Sequence, residues 1–214
     1  MPQTSHPLRT NMAQSTDRLP RQLAFIAELD KLKGILRQTR LIGGSRRENS
    51  AEHSWHLAVM AVLLGEHAAE RADVLRTVKM LLVHDVVEID AGDAFCYDAA
   101  ANVGKEERER RAAERLFGLL PPEQGGELRA LWDEFEARET AEARFAAALD
   151  RLQGLLQNVH NGGGTWRLHG VTREQVLARM DPIREASPAL WAYVLGTIEE
   201  VYAGGEVLDA GSAA

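Results

Sequence analysis

Between Lys79 and Asp93 the sequence sets a histidine and a series of acids, His84, Asp85, Glu88, Asp90 and Asp93, into a run that is otherwise largely apolar. Burying one unpaired carboxylate costs on the order of several kcal/mol, so a fold that takes this run inside must supply a compensating charge, and a divalent cation is the simplest. If one helix carries the run, residues three and four apart share a face and Glu88 lies beside both His84 and Asp85. His84 and Asp85 then diverge by about 100°, so they share an ion only if it sits between their directions. Two more ligands would complete the sphere. The best candidates are His53, in Glu52-His53-Ser54-Trp55-His56, and Asp150, in Ala148-Leu149-Asp150-Arg151-Leu152. Taken alone, Asp150 has the alternative of a surface pair with Arg151 or Arg144. For His84-Asp85 the alternative is a buried hydrogen-bonded pair, which leaves Glu88 without a counter-charge.

Two histidines and two aspartates form a mixed nitrogen and oxygen set. It suits one divalent metal ion (Mn, Fe, Co, Ni, Zn or Mg) and excludes a thiolate-type structural zinc site. An ion held this way lowers the pKa of its bound water and polarises a phosphoryl oxygen, the conditions for hydrolysing a phosphate ester at neutral pH. Glu88 or Asp93, where not a ligand, can orient that water or protonate the leaving oxygen. His56 reads as a supporting or core histidine. His67, His160 and His169, without acids at ligand spacing, read as structural or exposed.

The elements that must position these groups are helices. Strand signals are almost absent, and Leu23, Phe25, Ile26, Leu29, Leu32 and Leu36 recur at helical spacing. Gly43 to Asn49 breaks this pattern, and Ser50 reads as the N-cap of a helix carrying His53, Leu57, Met60 and Leu64. Asp73 opens the next helix, expected to run to about Glu88, and Ala91-Gly92-Asp93 marks a turn. Lys105 to Leu119 reads as a solvated helix, Pro121-Pro122 starts another, and Thr140 caps the helix that carries Asp150. After Asn161-Gly-Gly-Gly164, a short helix follows Thr172, and Ser187-Pro188 introduces the last one. Trp166, just after the triple glycine, is the one tryptophan read as sitting on a movable lid. Six to nine helices around one core are expected.

The order His53, His84-Asp85, Asp150 resembles the HD-domain metal phosphohydrolases. Glu48-Asn-Ser-Ala-Glu-His53 with His84-Asp85-Val-Val-Glu88-Ile-Asp-Ala-Gly-Asp93 is similar to the branch that contains the 5′-deoxynucleotidases, over roughly Leu23 to Tyr202. The resemblance implies an all-α HD-domain helical bundle, His53, His84, Asp85 and Asp150 as metal ligands, and a homodimer. It further implies Glu88 handling the nucleophilic water and Asp93 acting on a substrate hydroxyl or leaving-group proton. Proteins of that branch carry an Arg-Trp or Arg-Thr-Gly-Trp segment upstream of the first histidine; here the region reads Arg37-Gln38-Thr39-Arg40-Leu41, without tryptophan. The phosphate-binding arginine is therefore Arg40 or Arg37. The activity implied is hydrolysis of (deoxy)nucleoside 5′-monophosphates. The rivals are a non-nucleotide phosphate ester as substrate, or a non-catalytic metal- and nucleotide-binding regulatory module.

Composition bounds the rest. The 214 residues, 45% of them hydrophobic, suffice for one well-packed domain. Lys and Arg number 25 against 32 Asp and Glu, and no basic stripe interleaved with aromatics appears, so a small-molecule phosphate ester is expected as partner rather than a nucleic-acid polymer or a membrane. Residues 1–19 are polar and read as a flexible tail, 20–205 as the HD domain and 206–214 as a C-terminal tail. With no apolar run of about 20 residues, no export signal and a lone Cys96, a cytoplasmic location is expected.

Overall fold

In this computed structural model residues 8–204 are described, with side chains from residue 17 onward. Eleven helices occur among them: α1 (Leu8–Leu29), α2 (Ser50–Leu64), α3 (Val74–Val83), α4 (Glu88–Ala91), α5 (Lys105–Phe117), α6 (Pro122–Ala137), α7 (Ala141–His160), α8 (Gly164–His169), α9 (Arg173–Met180), α10 (Pro182–Ala186) and α11 (Pro188–Ala203). Eleven exceeds the expected six to nine. The surplus lies in α4, α8 and α10, pieces of four to six residues too short to show a period of their own in the sequence. A small antiparallel hairpin, β1 (Leu36–Arg40) and β2 (Arg47–Asn49), pairs Leu36 with Asn49 and Arg40 with Arg47.

Helix α7 is the axis of the fold. Phe145, Ala146, Ala147, Ala148, Leu149, Leu152 and Leu155 are all buried in it, and it packs against α2, α3, α6, α10 and α11. The run of small alanines lets neighbouring backbones come close, which brings Asp150 within reach of α2 and α3. A second group of buried side chains, Phe25, Val86, Val87, Leu116, Phe117, Leu131 and Trp132, locks α1, α5 and α6 against the segment that follows α3. Burial of apolar area at roughly 25 cal/mol per Å2 is what holds these helices at fixed distances.

Several sequence expectations are corrected here. Helix α1 begins at Leu8, inside the 1–19 segment read as a tail, because polar composition argues against burial and not against a helical backbone. Residues 206–214 lie outside the described residues. The apolar stripe from Leu23 is not one helix: α1 ends at Leu29, a 3-10 turn spans Asp30–Gly34, and Leu36 belongs to β1. The cap of α2 is Asn49, whose side chain accepts from Glu52 N while Glu52 returns a bond to Asn49 N, so Ser50 is free for another role. Trp166 is 1% exposed and packs in the core, stacked near Tyr202, and not on a lid. The caps read at Asp73, Thr140, Thr172 and Ser187 all accept the expected backbone N–H.

Candidate metal centre and its cavity

Helix α3 stops at Val83, five residues short of the expected Glu88. The chain then tightens into bonds of the i to i+3 kind, Val86 N to Val83 O and Glu88 N to Asp85 O, before α4 opens at Glu88. His84 keeps α-helical dihedrals and its N–H bonds to Met80 O, so the break falls just after it.

His53, fully buried on α2, presents its Nδ1 to Gln153 Oε1 at 3.1 Å, and Gln153 Nε2 donates to Glu48 Oε1 at 2.8 Å. A carboxylate can only accept, so Glu48 fixes the amide of Gln153 and the amide oxygen in turn fixes the proton of His53 on Nδ1. His84 is held the same way, its Nδ1 donating to Leu81 O at 2.8 Å. Both imidazoles therefore aim the lone pair of Nε2 at the interior. His53 Nε2 faces Asp150 Oδ1 at 3.1 Å, and His84 Nε2 lies 3.0 Å from Asp85 Oδ1 without a hydrogen bond to it. Ligand atoms of His53, His84 and Asp150 lie within 4.8 Å of one another. Asp85 borders the cluster, with Oδ2 3.8 Å from His53 Nε2 and bound at 2.8 Å by Arg37 Nη1.

Lone pairs of two imidazoles facing carboxylate oxygens need a cation between them. Burial, reinforced by the Arg37 charge, pulls the His53 pKa below its ordinary value, so a proton on that ring is disfavoured. Burial alone pushes Asp150 up, but a proton held between it and His53 Nε2, with the nearby Arg37 charge, outweighs burial and brings the carboxyl well below the usual range; a metal ion would take the place of that proton. An ionised carboxylate against a neutral His53 ring, with an orphaned buried Nε2 on His84, is a donor set that fits a divalent metal.

Beside the cluster Ser50 Oγ donates to Glu88 Oε2 at 2.6 Å. Burial first, then the Asp85 charge, raises Glu88 well above the ordinary glutamate value. Asp93 is raised for the same reasons, with Arg37, Lys105 and its hydrogen bond to Glu88 pulling it back. Asp93 and Glu88 are close enough to hold a proton between them. Gly92, at φ 75° and ψ 152°, turns the chain so that Asp93 reaches this place, a conformation essentially closed to residues with a Cβ.

The cluster opens into a cavity of about 230 Å3. Arg37, Asp85, Glu88, Asp93 and Asp150 all line it. Arg40 does not: it is exposed and donates to Gly44 O in its own hairpin loop. The alternatives weighed for Asp150 do not occur, since Arg144 binds Glu70 and the Arg151 guanidinium donates to main-chain carbonyls. Sequence reasoning passed over Ser50, Gln153, Lys105 and Arg179. Gln153 lies one turn from Asp150, with buried Gln157 one turn further on, and this polar row along α7 is the signal that marks it; Lys105 and Arg179 sit in ordinary charged stretches that carry none.

A helical protein built round a candidate metal centre of two histidines and one aspartate, with Asp85 at its border, is the class defined by this arrangement. Comparison with known proteins narrows it. A sequence model of the HD domain matches residues 29–191, and the chain belongs to the HD-domain family. The 5′-deoxynucleotidase HDDC2 of Homo sapiens is 32% identical over 136 residues, a match covering 63% of this chain and 65% of that protein. Its Xenopus laevis counterpart is 34% identical over 132 residues, covering 59% and 64%. The match thus spans less than two thirds of either relative. A crystal structure described as a predicted metal-dependent phosphohydrolase from Magnetospirillum magnetotacticum MS-1 superposes with a TM-score of 0.86 at 56% identity, covering 89% of this chain and 96% of that one. A conserved hypothetical protein from Pyrococcus furiosus, 24% identical, shares the fold with a TM-score of 0.57 over 85% of this chain and 99% of its own.

Proposed function

We propose that this protein is a divalent-metal-dependent phosphomonoester hydrolase acting on (deoxy)nucleoside 5′-monophosphates, with His53, His84, Asp85 and Asp150 as metal ligands. The observation that carries the reading is the pair of imidazoles with Nδ1 protons tied off, leaving both Nε2 lone pairs facing carboxylates. When bound, the ion supplies an acidified water and a Lewis acid for the phosphoryl oxygens. Glu88, oriented by Ser50, accepts the proton of the attacking water, and Asp93 gives its proton to the departing 5′-oxygen. The raised pKa of both acids suits proton transfer near neutrality. Arg37 neutralises Asp85 and contributes positive charge at the edge where a phosphate enters.

Gln38 lines the cavity next to Arg37, where the nucleotidase pattern has an aromatic ring. That favours a second reading, a non-nucleotide phosphate ester, for the same chemistry. Phosphate release from a panel of nucleoside 5′-monophosphates and sugar phosphates, with Mn, Co or Mg added, tests both. Turnover of deoxynucleoside monophosphates above all others supports the first reading, turnover of other esters the second, and release from none with any metal removes both.

A homodimer is supported by apolar side chains on one face of α2, where Trp55 is 65% and Leu63 66% exposed, and by Leu75 on α3, 66% exposed. Light scattering on the purified chain tests it, and a Trp55→Glu variant that shifts a dimer to monomer supports this face. No helix among the described residues is long and apolar enough to cross a membrane. The single cysteine is consistent with a reducing, cytoplasmic setting.

A further inference from the structure

The cavity has a second cationic wall that the proposed chemistry does not use. Arg179, near the end of α9, lines it, with its Nη2 3.9 Å from Asp150 Oδ2 and its side chain 35% exposed. Arg151, adjacent to Asp150 on α7, is buried at 5% exposure and lines the same wall. Its Nη1 donates to Ala147 O at 2.6 Å and its Nε to Arg179 O at 3.1 Å, so this buried guanidinium ties the end of α9 to α7. One guanidinium, that of Arg179, thus faces the Asp150 carboxylate, while the other, that of Arg151, holds the main chain of Arg179. Arg37, by contrast, already has Asp85 at 2.8 Å, with Glu48 and Asp150 each at 3.8 Å.

We infer that Arg179 is a phosphate-binding residue of this site, held in place by Arg151 acting as a positioning residue on its backbone. The inference rests on the phosphomonoester reading above and deepens it by naming a recognition group. Once Asp150 gives its charge to a metal, Arg179 keeps no other anion within 4 Å among the described residues, and the incoming phosphate dianion supplies it. A half-exposed guanidinium at the cavity edge loses little hydration before the ligand arrives and offers two parallel N–H groups to two phosphoryl oxygens. The location at a helix end, linked to α7 by a buried strut, lets the group be aimed without closing the cavity. Arg37 then serves Asp85 and the ligand cluster, and Arg179 serves substrate.

The experiment compares wild type, Arg179→Gln and Arg179→Lys, each loaded with the same metal. It measures metal affinity by calorimetry, binding of inorganic phosphate to the loaded protein, and kcat and KM on the best monophosphate found. The inference expects Arg179→Gln to bind phosphate and substrate at least about tenfold more weakly, the effect of losing one charged hydrogen bond. Metal affinity should change less than about threefold, and Arg179→Lys should recover part of the loss. Unchanged phosphate affinity and KM in Arg179→Gln overturns the inference while leaving the hydrolase reading intact. Weakened metal binding with unchanged phosphate binding overturns it too, since Arg179 would then only balance Asp150. If wild type turns over no ester, phosphate binding still decides the inference: a tenfold difference between wild type and Arg179→Gln supports it, and no binding by either overturns it.

Discussion

Two walls of one cavity are built on opposite principles. On the wall that carries the metal cluster, the imidazoles of His53 and His84 are buried, the Nδ1 of each is hydrogen-bonded to a fixed oxygen, and buried Glu48 and Gln153 stand behind His53. On the wall made by the β1–β2 hairpin and α9, the functional groups are long arginines, Arg37 with 17% and Arg179 with 35% of the side chain exposed, anchored by ion pairs. The first wall is set before anything binds, as a metal centre requires, because ligand geometry must be held by groups that cannot rotate away. The second tolerates motion, because a phosphate is met by charge and by forks that adapt to it.

The sharpest way to break this contrast is to remove a ligand from the first wall. Asp150→Ala is expected to lose the metal and all measurable phosphate release while keeping its helical circular dichroism; metal binding at wild-type affinity in that variant would remove Asp150 from the cluster. Glu88→Gln comes next, with kcat expected to fall by about 10²–10⁴ and metal affinity unchanged, read by parallel calorimetry and phosphate release. Replacing Gln153 by Leu frees the ring of His53 and is expected to weaken metal binding about 10- to 100-fold, as loss of a hydrogen-bonded support typically does. An unaltered affinity would show that the amide relay through Glu48 does not hold the ring.

Smaller effects sharpen the picture. At Gly92→Ala the added Cβ meets no atom within 4 Å, so the cost is purely conformational, about 1–3 kcal/mol in urea unfolding, with reduced kcat because Asp93 is re-aimed. Arg40→Ala should leave KM within about twofold, since that guanidinium serves its own loop. A large rise in KM there would reverse the assignment of the two hairpin arginines.

Legibility in the sequence follows the same division. His84, Asp85 and Glu88 stood out because each is a polar group set into an apolar run, His53 and Asp93 through the spacing they share with the HD-domain pattern, and the helix caps because Asp73, Thr140, Thr172 and Ser187 act within three residues of themselves. What lay beyond reach depends on tertiary contact. The stop of α3 at Val83 needs the packing of Val86 and Val87 into the second group of buried side chains, which no local period records. Ser50 was taken for a cap because its type fits one; its bond to Glu88 spans 38 residues. The hairpin escaped notice because β2 has three residues, too few to alternate visibly. Trp166 was put on a lid from the flexibility of the glycines before it, yet its bulk is buried beside Tyr202. Arg37 and Arg40 were equal on spacing to His53, and only the fold separates them, by the direction each takes from β1.

The central claim is that one divalent ion, held by His53, His84, Asp85 and Asp150, is required for cleavage of a phosphate monoester. Titrating chelator-treated protein with Mn or Co while following phosphate release from a deoxynucleoside 5′-monophosphate tests it directly. The account expects no release without metal and a rate that climbs until one equivalent per chain is bound, then levels. A metal-stripped protein that turns over as fast as the loaded one, or a rate indifferent to the first equivalent, would contradict it.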